Sequence, residues 1–233
     1  MSDPNAWQMP TYYSRNTHFK LALPFERSHS IGHNYSQCYQ DMFVLGVLNG
    51  KTGGTYLEIG SGDPWVSNNT ALLEQFGWNG ISVEINPKDV NKFNNQRKNL
   101  VAEGDATEID YEELFQEVGL ENKDFDYLQV DCEPASTTFA ALRKIPHDKY
   151  RFAVITYEHD SYAEGCTVRD ESRKFLLDLG YVLVGSNISV DEFHPYEDWW
   201  VHPELVDMER VENIKNDDDN IKMGEKFCFG DYS

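Results

Sequence analysis

The chain has 233 residues, of which 40% are hydrophobic and 13% aromatic, and it carries a formal net charge of −20. This length suits one α/β domain with a sizeable core and is short for two. So acidic a protein repels phosphate groups, and we expect no nucleic-acid partner. The four cysteines are widely spaced without a zinc-binding pattern, which is typical of reduced thiols in a cytoplasmic protein. No apolar run is long enough to predict a membrane span.

The N-terminal part of the chain differs from the rest. Residues 1–37 are polar and aromatic without sustained periodicity, and they are expected to form an arm or a cap. Tyr39, Phe43 and Val47 then recur at every fourth position, which predicts an amphipathic helix ahead of the first strand.

From residue 55 onward, short apolar runs alternate with helical patterns, as in a parallel sheet with crossover helices. Strands are predicted at 55–59, 80–84, 100–104, 125–131, 152–157, 181–185 and 197–201. The last of these is expected to form a hairpin with the strand before it. Helices are predicted at 69–76, 87–95, 111–118, 136–145 and 168–179. The sequence therefore predicts a mostly parallel, seven-stranded sheet over residues 38–215, with helices on both faces and a tail, 216–233, that can pack on it.

The clearest local motif is residues 57–63, LEIGSGD, in which an apolar strand runs into a glycine loop ahead of a helix. Glycines let a ligand approach the backbone, and a helix N-terminus favours a carboxylate or phosphate. Dinucleotide-binding sites share this pattern. Here, however, Pro64 and Trp65 replace the third glycine, and Glu58 would repel a pyrophosphate. The motif favours a cofactor with ammonium and sulfonium centres.

Acidic residues follow the next two strands. Glu84 ends the second strand, where a carboxylate can accept hydrogen bonds from both ribose hydroxyls. Asp105 follows the third strand and could accept a hydrogen bond from an adenine amino group, with Ala106 leaving space for the ring. The alternative for each acid is a solvated position at a strand end.

Two further groups of polar residues follow the fourth and fifth strands. They are Asp131 with Glu133, and Glu158 with His159 and Asp160. One interpretation is general-base catalysis by His159 or a carboxylate. A second is a Mg²⁺ site formed by Asp131, Glu158 and Asp160. A third is that these acids only cap helices and hold loops.

Four aromatic residues are expected near the carboxyl ends of the strands: Trp65, Tyr157, Trp199 and Trp200. Each could stack on a sugar ring, and the alternative for each is packing in the core.

Several segments together resemble the FkbM-type methyltransferases. They are 35–41, 53–60, 67–74 and 77–87, while 130–133 and 157–159 resemble the family's Asp-x-Glu-Gly and Glu-His elements. The resemblance extends from about residue 35 to about residue 203. It implies a Rossmann-like class I fold, S-adenosylmethionine as cofactor, and O-methylation, often of a sugar hydroxyl on a glycan or natural product. Pro134 stands where the family usually has glycine, so the loop after the fourth strand departs from the family pattern.

Carried over residue by residue, the resemblance implies cofactor contacts from Glu58, Gly60, Ser61, Gly62, Asn69, Glu84, Ile85, Asp105, Ala106 and Asp131. Asp131, Glu133, Glu158 and His159 would face the acceptor, and some related enzymes hold magnesium with acids at these strand ends. We therefore expect an O-methyltransferase for a small molecule or glycan, with no membrane partner and with a homo-oligomer as a compatible state. The alternatives are a non-catalytic cofactor- or glycan-binding module and a nicotinamide-dependent oxidoreductase.

Overall fold

The structure is a computed structural model and describes residues 21–120, 123–216 and 218–229. Within these residues one sheet has the strand order β3-β2-β1-β4-β5-β7-β6-β8. The strands are β1 Thr55–Ile59, β2 Asn79–Glu84, β3 Leu100–Glu103, β4 Asp124–Val130, β5 Arg151–Glu158, β6 Val182–Ser189, β7 Glu197–Val201 and β8 Lys222–Met223.

Strands β1 to β5 are parallel, whereas β7 lies antiparallel between β5 and β6. This arrangement confirms the Rossmann-like α/β fold and the hairpin between β6 and β7. The prediction of seven strands was wrong by one, because the two-residue strand β8 adds to the edge beside β6. Strand β6 also continues to Ser189, beyond its predicted end at 185. It crosses turn-forming residues there through register shifts and a positive φ of 52° at Asn187.

Helices cover both faces of the sheet. They are α1 Gln40–Val47, α2 Ala71–Gln75, α3 Pro87–Gln96, α4 Tyr111–Glu117, α5 Ala135–Lys144, α6 Ser161–Glu164, α7 Thr167–Asp178, α8 Met208–Glu212 and α9 Gly224–Phe229. Helices α1, α2, α8 and α9 contribute to the core on one face, and α4, α5 and α7 to the core on the other. We call these the α1 face and the α7 face. None of the helices described is both long and apolar enough to cross a bilayer.

Helix α1 is buried on every side, so the amphipathic pattern predicted for it was wrong. Phe43 stacks on Trp199 of the sheet with ring centroids 4.5 Å apart. On another side, the chain at Leu23 lies so close to the helix that a Cβ added at Gly46 would be 3.1 Å from its side chain. A second layer from the N-terminal segment therefore covers the face that the periodicity left to solvent.

Both ends of the chain pack against α1. The N-terminal segment contributes five buried residues to the core: Leu21, Leu23, Phe25, Ile31 and Tyr35. At the other end, Gly224 lies against Cys38 so closely that an added Cβ would be 2.5 Å from its sulfur. All four cysteines are free thiols. Residues 1–20 of the expected arm, and Asp217 and 230–233 of the tail, lie outside the described residues.

Candidate functional site

The loop after β1 contains two glycines, and a different structural reason explains why each position lacks a side chain. Gly60 has φ +75°, and a Cβ added there would lie 1.6 Å from the carbonyl oxygen of Asp131 at the end of β4. Gly62 has φ +52°, and an added Cβ would have no atom within 4 Å. Gly60 is thus required by the contact between two strand ends, while Gly62 faces open space that a ligand can enter.

Glu84 connects this loop to the end of β2. Its Oε2 accepts a hydrogen bond from the N–H of Gly62 at 2.9 Å, and its Oε1 accepts one from the N–H of Asn86 at 2.8 Å. Each carboxylate oxygen retains a further lone pair for a ligand hydroxyl. The neighbouring Ile85 is 66% exposed and offers an apolar surface beside the carboxylate. Both residues therefore occupy positions suited to a ribose and its base.

Glu58 lies beneath the loop, on the α1 face of β1. The carboxylate is buried and accepts hydrogen bonds from the hydroxyls of Thr70 at 3.0 Å and Ser82 at 2.6 Å. Burial raises its pKa, while the nearby Arg97 guanidinium acts in the opposite direction. In this structure Glu58 holds the C-terminal end of the loop in place.

Arg97 anchors the same loop from α3. Its guanidinium donates to the Pro64 carbonyl at 2.8 Å, to Oδ1 of Asn68 at 2.9 Å and to the Thr70 hydroxyl at 3.1 Å. It also forms an ion pair with Glu74 at 2.9 Å. This residue was missed by the sequence analysis, because its partners are distant along the chain. The loop is therefore held in shape independently of any ligand.

Two buried polar atoms of the loop segment have no hydrogen-bond partner among the described residues. They are the hydroxyl oxygen of Ser61 and Oδ1 of Asn69, in residues that are each 6% exposed. Buried polar atoms are normally satisfied, so a ligand with both a donor and an acceptor would complete this pair. An amino-acid group fits, since its ammonium can donate to Asn69 and its carboxylate can accept from Ser61. The methionine part of S-adenosylmethionine has this chemistry.

The third strand ends at a turn that exposes Asp105. Its Oδ1 accepts hydrogen bonds from the N–H of Thr107 at 2.9 Å and from the hydroxyl at 2.7 Å, and these bonds lower the pKa of Asp105. Among the described residues its Oδ2 has no hydrogen-bond partner. Ala106 is buried behind it, and the Ala106 carbonyl accepts a hydrogen bond from Tyr111 at 2.9 Å. Asp105 thus presents one ionised oxygen toward the open side.

Asp131 and Glu158 meet at the carboxyl ends of β4 and β5, where their side chains are hydrogen-bonded to each other. Burial raises the pKa of Asp131 to about 7, and nearby Asp160 and Glu133 act in the same direction. Burial and the Asp131 charge raise the pKa of Glu158 well above its ordinary value. Two carboxyl groups this close share a proton at neutral pH. Glu133 is exposed at the same edge.

The magnesium ligand set expected from the sequence is not supported. In the described part of the chain, no three His, Cys, Asp or Glu side chains are arranged to hold a metal ion. Asp131 and Glu158 are instead bonded to each other. Asp160 adopts a left-handed conformation, with φ 46°, at the start of α6.

His159 does not reach the acceptor side that the sequence suggested. It is fully buried, with Nδ1 accepting a hydrogen bond from the N–H of Ser161 at 3.1 Å. Its Nε2 lies 3.5 Å from Oδ1 of Asp198, which is itself ion-paired with Arg173 at 2.6 Å. Both ring nitrogens therefore face the protein interior on the α7 face.

For three of the four aromatic residues considered in the sequence, the structure confirms packing in the core. Tyr157, Trp199 and Trp200 are fully buried in the core. Trp65 is half-buried, packs against the Arg97 guanidinium and donates its Nε1–H to Gln96 at 2.8 Å. The exposed aromatic residues here are Tyr162 and Phe193, at 52% and 74% exposure. Their position in the connections that follow β5 and precede β7 was the available sequence signal.

No protein-family model and no curated protein sequence matches this chain. Solved structures with similar folds include a TehB-like SAM-dependent methyltransferase from Corynebacterium glutamicum, at 13% identity and a TM-score of 0.45 over 70% of this chain and 88% of that one. TrmK from M. capricolum in complex with S-adenosyl-homocysteine matches at 15% identity and a TM-score of 0.48, covering 71% and 68%. A SAM-dependent methyltransferase from Clostridium acetobutylicum matches at 11% identity and a TM-score of 0.47, covering 76% and 95%.

Proposed function

We propose that this protein is an S-adenosylmethionine-dependent O-methyltransferase that acts on a hydroxyl of a sugar, in a glycan or a small natural product. The observation that carries the cofactor assignment is the shape and chemistry of the loop after β1. Gly62 leaves space for a ligand beside the loop, and the Glu84 carboxylate can accept hydrogen bonds there. Ser61 and Asn69 each have a buried polar atom without a hydrogen-bond partner among the described residues. A nicotinamide dinucleotide suits this loop less well, because its pyrophosphate would meet acidic residues.

The cofactor would lie along the carboxyl edge of the sheet, from Ser61 and Asn69 at its methionine end to Asp105 at its adenine end. Glu84 would accept hydrogen bonds from the ribose hydroxyls. Ile85, exposed beside it, would contact one face of the adenine. When bound, S-adenosylmethionine supplies a methyl group activated by its sulfonium centre.

The residues that receive the acceptor's proton would be Asp131 and Glu158. A carboxylate oxygen of Asp131 has a pKa of about 7, so it can take up a hydroxyl proton near neutral pH. The remaining task of the protein is to align the acceptor oxygen with the methyl group. His159 is left out of this proposal because both of its ring nitrogens face the interior. Magnesium is left out because the acids do not present three ligands.

Membership of the FkbM-type family is part of the same proposal. It rests on the motifs at 35–41, 53–60, 67–74 and 77–87. The assignment predicts a sugar hydroxyl as acceptor, whereas an RNA acceptor is not expected of a chain with a net charge of −20.

The first test is calorimetric titration of the purified protein with S-adenosylhomocysteine and, separately, with NAD⁺. We expect binding of the former and none of the latter, and the reverse result would assign an oxidoreductase. The second test is methyl transfer from labelled S-adenosylmethionine to a panel of sugars and nucleotide sugars, with Mg²⁺ or with EDTA. Cofactor binding without transfer to any hydroxyl would favour a binding module. Activity abolished by EDTA would restore the metal hypothesis.

A further inference from the structure

The edge of the sheet beyond Asp131 carries a concentration of negative charge. Asp131, Glu133, Glu158, Asp160 and Glu164 act on one another electrostatically there. In residues 21–120, 123–216 and 218–229, none of these five carboxylates forms an ion pair with a lysine or an arginine. At the opposite end of β4, by contrast, Asp124 and Asp126 each form an ion pair with a basic residue. The proton shared by Asp131 and Glu158 relieves only part of this repulsion, and a bound cation would compensate the negative charge that remains.

An aromatic surface borders these carboxylates. Tyr162 is half exposed, and Asp160, Glu158 and Glu133 act electrostatically on its hydroxyl. The ring of His194 lies 5.4 Å from that of Tyr162 and 6.5 Å from that of Phe193. Tyr162 and Phe193 are therefore grouped around one imidazole ring, and a contiguous exposed apolar surface of this kind can serve as a binding site.

A buried acceptor atom points to the same kind of ligand. Gln129 is 3% exposed, and its side-chain carbonyl oxygen has no hydrogen-bond partner among the described residues. The residue precedes Asp131 by two positions on β4 and pairs in register with Thr156, which precedes Glu158 by two positions on β5. Because side chains alternate along a strand, all four lie on the α1 face. Gln129 therefore places one buried acceptor without a donor on the same face as Asp131 and Glu158.

We propose that the acceptor substrate carries a protonated amino group, bound between the carboxylates of Glu158 and Asp160 and the exposed ring of Tyr162. This inference rests on the proposed methyltransferase function and specifies its substrate class. An ammonium group donates to several carboxylates at once, and it is attracted to the face of an aromatic ring. A neutral sugar would leave the negative charge uncompensated. An amine-bearing sugar satisfies both the proposed hydroxyl chemistry and the charge of the site.

The inference is tested with a charged probe and its neutral isostere. Protein saturated with S-adenosylhomocysteine is titrated by calorimetry with benzylamine and, separately, with benzyl alcohol. The salt concentration is about 50 mM, so that surface charges are weakly screened. We expect benzylamine to bind at least about tenfold more tightly, the equivalent of one favourable charge contact. Equal affinities, or no binding of benzylamine, would overturn the proposal.

Three substitutions locate the binding. Asp160→Asn removes one charge at a residue whose left-handed backbone conformation asparagine tolerates. Glu158→Gln replaces a carboxyl group, which a bound ammonium would keep ionised, with a neutral amide of the same shape. Each is expected to weaken benzylamine binding by about tenfold, and Tyr162→Ala by about threefold. Glu117→Gln is the matched control, because it removes an exposed carboxylate from the end of α4. A similar loss with Glu117→Gln would mean that the overall charge, and not this site, binds the amine.

A turnover experiment separates this inference from the function on which it rests. Glucosamine, N-acetylglucosamine and glucose are compared as acceptors with labelled S-adenosylmethionine. Failure to bind S-adenosylhomocysteine, with benzylamine binding intact, would contradict the methyltransferase proposal alone. Transfer to glucose or N-acetylglucosamine at a rate equal to that for glucosamine would contradict the amine proposal alone.

Discussion

The backbone N–H of Gly62 donates a hydrogen bond of 2.9 Å to the carboxylate of Glu84. This bond joins the loop after β1 to the end of β2, so the acidic side chain that we propose as the ribose contact also shapes the loop. The protein alone therefore holds the loop in one conformation, which would lower the entropic cost of binding the proposed cofactor.

Replacing Glu84 tests its role in holding a ribose. Glu84→Ala is expected to weaken S-adenosylhomocysteine binding by roughly 10- to 100-fold, since hydrogen bonds to a charged group contribute about 1.5–3 kcal/mol. Glu103→Ala is the matched control, because Glu103 pairs in register with Glu84 on the neighbouring strand and is exposed. Calorimetry measures both variants. Unchanged affinity in Glu84→Ala would remove this residue from the cofactor site.

Alanine substitutions at the two loop glycines are predicted to have different effects, one on folding and the other on ligand binding. Gly60→Ala places a methyl group against the Asp131 carbonyl and should prevent folding or lower the melting temperature severely. Gly62→Ala has room for its methyl group and costs only about 1–2 kcal/mol for the left-handed backbone, so the protein should fold. The methyl group would then occupy the ligand's space and abolish S-adenosylhomocysteine binding. A folded Gly62→Ala variant that binds normally would show that the ligand does not approach there.

Arg97 is predicted to be a major determinant of stability. Arg97→Ala leaves Glu58 and Glu74 without their buried cation and should lower the free energy of unfolding by about 3–5 kcal/mol. Lys98→Ala is the control, because it removes an exposed cation from the adjacent position. Urea denaturation at pH 7 measures both. Equal stability of the two variants would mean that the network around Arg97 is energetically neutral.

Asp198 gives the stability of the fold a defined pH dependence. Burial alone would raise the pKa of the Asp198 carboxyl. The hydrogen bonds from Arg173, together with the nearby His159 ring, outweigh burial and hold this pKa well below its ordinary value. The folded state therefore binds its proton less readily than the unfolded state. The stabilisation is complete above the unfolded pKa of about 4 and is lost as the pH falls toward the lower folded pKa.

The pH dependence is measured as the difference in unfolding free energy between the wild type and Asp198→Asn. This difference should be constant from about pH 5 to 7 and should shrink below about pH 4, by at most about 1.4 kcal/mol per pH unit. Taking the difference removes the opposite contributions of buried acids with raised pKa values, such as Glu197. If the difference in unfolding free energy stays constant down to about pH 2.5, Asp198 is not held ionised by Arg173.

The predicted contact of His159 with the acceptor shows a limit of inference from neighbouring residues in the sequence. Glu158 and His159 are adjacent in the sequence, and this suggested that both face one site. Successive side chains of an extended strand point to opposite faces of the sheet. Glu158 therefore meets Asp131 on the α1 face, while His159 turns toward Asp198 on the α7 face. The alternation of side chains about the sheet therefore decided that Glu158, and not His159, lies beside Asp131.

The metal prediction was limited in a similar way. The positions of Asp131, Glu158 and Asp160 after two predicted strands placed them at one edge of the sheet, and the structure confirms this. The sequence could not indicate whether the carboxylates point to a common centre or bond to each other. That choice depends on side-chain directions within the packed edge.

The sequence by itself determined the strand–loop–helix unit around Gly62, the order of the βα units and the acids at the ends of β2 to β5. These features depend on hydrophobic periodicity and on backbone conformations that a few neighbouring residues impose. Only the tertiary structure decided that Gly60 is required by Asp131, that Arg97 holds the loop and that Tyr162 is exposed beside a group of carboxylates. Those relationships join residues that are distant along the chain, and they exist only once strand order and register are fixed.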